Sequence, residues 1–193
     1  SSSGKALRSC CAVHAAVVAL RRKESALHDN RWLTGLPADA VVIADVAWLH
    51  ADGRPMQESD WRNPALRTLV VLLYKAGDEG ADASRVGIVI HAGDDPVTVP
   101  WPSPRGGCEW RRALDTAGSV VERAEAGPVA AEARSVVVLV EAAESAGTLG
   151  KRRAALVAAE RLDRLASAAG IAPDWWEVSG ARHIVHADTK LAL

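Results

Sequence analysis

Two nearly continuous apolar runs, Leu66 to Tyr74 and Ser135 to Glu141, limit this chain more than anything else in it. Each has a strand's length rather than a helix's, and each is rich in β-branched residues. An unbroken run of this kind suits a strand buried on both faces. Shorter runs surround them. Val41-Val42-Ile43, Val46 to Leu49, Arg85 to Ala92, Pro96 to Val99, Cys108 to Asp115 and Ser119 to Arg123 all read as strands. The turn signals Asp52-Gly53 and Gly93-Asp94-Asp95 fall between them, and Lys75 to Ser84 reads as an exposed loop. Glu58 to Trp61 reads as one helical turn, stopped by Asn63-Pro64. Seven or so short strands at regular intervals predict a mainly β domain, an antiparallel β-sandwich.

Helical periods flank this region. Lys5 to Lys23 repeats apolar residues at three- and four-residue steps and has no partner for that face within itself. Ala142 to Gly150 is small and polar enough for a linker. Lys151 to Ala169 then carries the stripe Ala155, Leu156, Ala159, Leu162, Leu165, Ala166 and Ala169, with Gly170 and Pro173 as its stop. Trp175 to Val178 and Arg182 to Val185 suggest a short hairpin, and Ala187 to Leu193 the start of another helix. The expected divisions are 1–35, a helix and the segment after it; 36–142, the β-sandwich; and 143–193, a linker, a helix and the start of a second module.

Composition excludes several function classes. A net charge of −1 from 23 basic and 24 acidic residues, with no basic stripe, argues against nucleic acid. No apolar run is long enough to span a bilayer, so no membrane role is expected. Cys10, Cys11 and Cys108 show no metal spacing and suit a reducing, cytoplasmic setting. His183 and His186 would face opposite sides of a strand and lack further ligands nearby, so no metal is expected. Gly147 to Arg152 superficially resembles a phosphate loop. It has Ser145 where that motif needs glycine and Arg152 where it needs serine or threonine. No motif points to a cofactor.

Specific strings carry a family resemblance. Arg21-Arg22-Lys23 with Asn30 to Gly35 is similar to the last barrel helix and following segment of bacterial glycogen debranching enzymes, isoamylase-type members of the alpha-amylase superfamily. Asp45-Val46-Ala47-Trp48-Leu49-His50, Asp52-Gly53-Arg54-Pro55-Met56, Asp60-Trp61 and Asn63-Pro64 resemble the entry to their C-terminal β-domain. His91-Ala92-Gly93, Pro96-Val97, Trp110, Leu114-Asp115-Thr116 and Ala133 to Val140 match later strands in order. Departures are Ser25 for the family's usual proline, His91 for asparagine, and Ser1 to Ala12, which does not look like barrel sequence. The tail has a second likeness. Leu162 to Ala166, Ala169 to Pro173, Trp175-Trp176, Gly180, Arg182-His183 and Thr189 resemble the N-terminal start of a bacterial 4-alpha-glucanotransferase.

The resemblance implies a parent enzyme that hydrolyses α-1,6 branch linkages in glycogen or limit dextrin. Such chemistry needs two carboxyl groups across the scissile bond, borne by a (β/α)8 barrel of about 250 residues. No position here matches those groups, so no catalytic residue is expected and the chain alone should be inactive. Asp45, Asp52 and Asp60 are expected to serve turns and caps. Trp48, Trp61 and Trp110 are expected to pack the sandwich and its seam with the barrel. Trp101, between two prolines, reads as exposed and, with Trp32, as a glucan contact through ring stacking. The expected partners are the parent's catalytic barrel and α-glucan. The expected function is a non-catalytic portion of the debranching enzyme. Alternatives are a free-standing glucan-binding module, or a truncated debranching enzyme/glucanotransferase junction whose orphaned first helix would invite aggregation.

Overall fold

A computed structural model describes residues 2–37, 43–77, 82–118, 123–177, 182–185 and 189–190. The chain divides into two compact units, Ser1–Ala143 and Glu144–Leu193. Strand pairing among the described residues is antiparallel, and the first unit is mainly β with a few helices.

The first unit opens with α1, Ser2–Lys23, and a single 3-10 turn, Ser25–Leu27. Six strands form its main sheet: β1 (Val46–Leu49), β2 (Thr68–Lys75), β3 (Ser84–His91), β5 (Cys108–Asp115), β6 (Arg123–Glu125) and β8 (Ser135–Ala143). Their order is β1-β2-β3-β8-β5-β6. Two shorter strands, β4 (Val97–Val99) and β7 (Val129–Ala131), pair separately as a ribbon. The single turn α2, Glu58–Trp61, lies between β1 and β2.

Successive residues of a strand point to opposite faces, and both faces of this sheet are covered, which explains the continuous apolar runs. On one face Val70, Val89, Val137 and Leu139 pack with Trp110 against Val99, Val129 and Ala131 of the ribbon. On the other, Val86, Leu114, Val138 and Val140 pack beneath Ala26, Val13, Ala16, Leu20 and Leu27. The sheet therefore lies between a ribbon and a helix. That is the partner the apolar side of α1 required. A slip in the β5–β8 register between Arg112 and Leu114 turns Leu114 to the helix, while Arg112 donates to Ala130 O of the ribbon (2.9 Å).

Two points differ from expectation. β7 lies in a stretch for which the sequence suggested no element. The expected linker 142–150 is mostly regular: β8 runs to Ala143 and α3 covers Ala146–Ala168. Ser145 starts that helix by accepting a hydrogen bond from Thr148 N (3.2 Å), so the small residues after it wind into the first turns. Val41 and Val42 of the strand expected at Val41 to Ile43, and residues 119–122 of that expected at Ser119 to Arg123, lie outside the described residues; Ile43 is described and is in no strand.

In the second unit α3 ends at Gly170, which adopts φ +77 and lets Ile171 N reach Ala166 O (2.8 Å). β9 (Asp174–Trp176) and β10 (Arg182–Ile184) then pair antiparallel. Of the helix expected after Ala187, only Thr189 and Lys190 are described, and both are helical.

Candidate functional site

The segment Asp45 to Trp61 builds one rigid bracket on the outer edge of the sheet. Gly53 adopts φ +84 at the turn, and its N–H donates to His50 O (2.9 Å). The chain then returns along β1, with His50 N bonded to Arg54 O and Met56 N to Trp48 O, both at 2.9 Å. Arg54 reaches from this return to Asp60 on α2 through a two-pronged ion pair of 2.5 and 2.8 Å. Asp60 also accepts from Gln57 N (2.8 Å), so one carboxylate caps α2 and ties it to the turn. The Arg54 guanidinium, then the Gln57 N–H, hold the Asp60 carboxyl well below the usual carboxylate range.

The product of this bracket is an aromatic pair. Trp48 of β1 and Trp61 of α2 meet edge to face, ring centroids 5.6 Å apart and planes at 74°. Both remain substantially open to solvent, Trp48 at 43% and Trp61 at 52%. Of the three tryptophans expected to pack the sandwich and its seam with the barrel, these two lie exposed rather than in the core. Trp110 is buried, donating its Nε1–H to Pro102 O (2.8 Å).

Trp101 contradicts its expected exposure. The Pro100-Trp101-Pro102 loop folds inward, and the indole lies over Gly87 and edge to face with Trp110 at 5.5 Å. A Cβ at position 87 would fall 2.3 Å from the Trp101 ring, so the slot exists only because that residue is glycine. Its Nε1 is buried and finds no acceptor among the described residues. Trp32 is 94% exposed, a lone ring in an irregular segment.

Asp45, Asp52 and Glu141 are tied into structure. Asp45 accepts from Thr34 N, Thr34 Oγ1 and Gly35 N at 2.7–2.9 Å. Burial would raise its pKa, but these donors together lower it. Asp52 accepts from Arg54 N (3.0 Å) beside His50. Glu141 is fully enclosed between Arg85 and Arg105, with Arg85 over the Trp110 ring at 5.1 Å. Burial alone would lower the Arg105 pKa; the Glu141 carboxylate reverses this and raises it. A cleft of about 650 Å³ opens beside this cluster, with Glu24 bonded to Ser84 Oγ (3.0 Å) on its wall.

In the second unit His183 stacks on Trp175 at 4.6 Å, 3.7 Å from a Glu177 oxygen, and His186 lies outside the described residues. Among the described residues no cluster of His, Cys, Asp and Glu could hold a metal ion. Gly147 to Arg152, the phosphate-loop look-alike, forms the first turns of α3. Cys108 is half-buried at the start of β5. No described helix is long and apolar enough to cross a membrane. Comparison with protein-family models and with curated proteins finds no match.

Proposed function

We propose that this chain is the non-catalytic C-terminal portion of a glycogen debranching enzyme, whose β-domain braces the catalytic barrel in the cytoplasm. The observation that carries the reading is the bracket from Asp45 to Trp61. The residues most particular to the family likeness, Trp48, Asp52-Gly53-Arg54, Asp60 and Trp61, fold together into one device. Its chemistry is mechanical: a turn, a cap and an ion pair that hold two aromatic rings at the surface. Sheet, ribbon and α1 together fit a sandwich of the alpha-amylase C-terminal type, with α1 as the barrel's last helix. The second unit fits the opening of a 4-alpha-glucanotransferase, so the chain reads as the junction between two activities on one branched glucan.

Hydrolysis of α-1,6 linkages belongs to the parent's barrel. Incubated with glycogen limit dextrin, the 193-residue chain should release no reducing sugar above a mock preparation. Release above that background would overturn the reading.

The exposed aromatic pair also favours a second reading, a glucan-binding module. It moves the glucan contact from Trp101, which is folded inward, to Trp48 and Trp61. Retardation in a glycogen-containing gel, lost on Trp48→Ala, would support this; unchanged mobility would remove it.

A further inference from the structure

Arg85 uses only one corner of its guanidinium. Its hydrogen bonds to Ser103 O and to the Glu141 carboxylate both leave from Nη1, at 3.2 Å. The side-on edge, Nε with Nη2, makes no hydrogen bond among the described residues, although Nε is buried and the whole residue is only 8% exposed. Two other enclosed arginines spend Nε on a carboxylate, Arg105 on Glu141 and Arg112 on Glu125. A buried donor on a charged group is costly to leave without an acceptor. Charge points the same way. Arg85 and Arg105 share the single Glu141 carboxylate, so this enclosed set carries one cation in excess.

Arg85 also lines a cavity of about 180 Å³, together with Ile43, Ala47, Leu72 and Tyr74. The register explains the space. Ala47, Leu72 and Gly87 form one row across β1, β2 and β3, and Tyr74 with Arg85 is the next row on the same face. Two of the three residues in the first row are small. Trp101 takes the room over Gly87, and the room over Ala47 is the cavity.

We propose that this cavity binds a small monocarboxylate, its carboxylate paired with the unused Nε–Nη2 edge of Arg85 and its apolar body against Ala47, Leu72 and Tyr74. The planar fork of an arginine meets a carboxylate with two parallel hydrogen bonds, which selects an acid over a neutral ligand. Size limits the body, since a cavity of about 150 Å³ holds one benzene ring. The acid is therefore of benzoate size. Ala47 and Trp48 are adjacent on β1 and point to opposite faces, so this site is separate from the exposed aromatic pair and independent of the debranching-enzyme reading.

The test is a series of ¹H–¹⁵N correlation spectra of the 193-residue chain, covering the arginine Nε–H region, as sodium benzoate is added. One Nε–H resonance, absent in Arg85→Lys, should move downfield and saturate with a Kd of about 1 mM. Benzamide, which keeps the shape and lacks the charge, should bind at least about 10-fold more weakly. Ala47→Leu fills the cavity and leaves Arg85 in place, so it should abolish the shift and reports even if Arg85→Lys unfolds. Absence of any Nε–H shift at about 20 mM benzoate would overturn the proposal. Equal affinity for benzamide, or a saturable shift that survives Ala47→Leu, would overturn it as well.

Discussion

Glu141 has its carboxylate fully enclosed between Arg85 and Arg105, with Tyr74 and Trp110 lying against the two guanidinium groups. A buried charge with two partners is tolerated only as a set. Glu141→Gln would leave two cations facing an amide, and should destabilise the first unit by about 3–5 kcal/mol, read as a drop in urea midpoint. Asp60 makes a different prediction, in pH. Its folded pKa is depressed from the ordinary 3.8, so as acid is added the unfolded chain takes up its proton first. The stability from Arg54–Asp60 is therefore fully present above about pH 4 and is lost as pH falls through the folded value. Urea midpoints measured from pH 7 to pH 2 should fall less steeply for Asp60→Asn than for the unaltered chain; parallel curves would remove the carboxylate from this role.

Elements with strong periods were legible; those that depend on distant partners were not. β2, β3 and β8 lie where apolar runs placed them, because a run buried on both faces announces itself in composition. α2 was legible from chemistry, since Asp60 and the Asn63-Pro64 stop are local signals. β7 was not, because three residues, Val129–Ala131, hold too little pattern to show a period. α3 starts at Ala146, five residues before the expected start at Lys151, and its marker was Ser145 with Thr148, hidden among residues typical of linkers. Trp101 failed for a deeper reason. Two flanking prolines describe a loop well, yet where the loop lands depends on Gly87, fourteen residues earlier on another strand. That glycine, alone inside the run Arg85 to His91, was the available sign of a close approach. The bracket was legible as a string of residues, while the exposure of its two rings emerged only from the sheet register.

At the scale of the molecule, the first unit holds its own core on both faces of its sheet, whereas Ala166 is the one buried side chain among those described in the second. A chain ended after Ala143 should therefore unfold cooperatively in urea with near-ultraviolet circular dichroism from its enclosed Trp110. A broad, signal-free transition would show that the first unit does not stand alone. The strand order has a bearing on how such a chain is made. β8 lies between β3 and β5, yet both are synthesised before it. β3 ends at His91 and β8 begins at Ser135, 44 residues later by subtraction. At ribosomal rates of about 5–20 residues per second, roughly 2–9 s pass before the gap can be filled. During that interval β3 offers an unpaired apolar edge, and translation stalled there would yield a seed for aggregation.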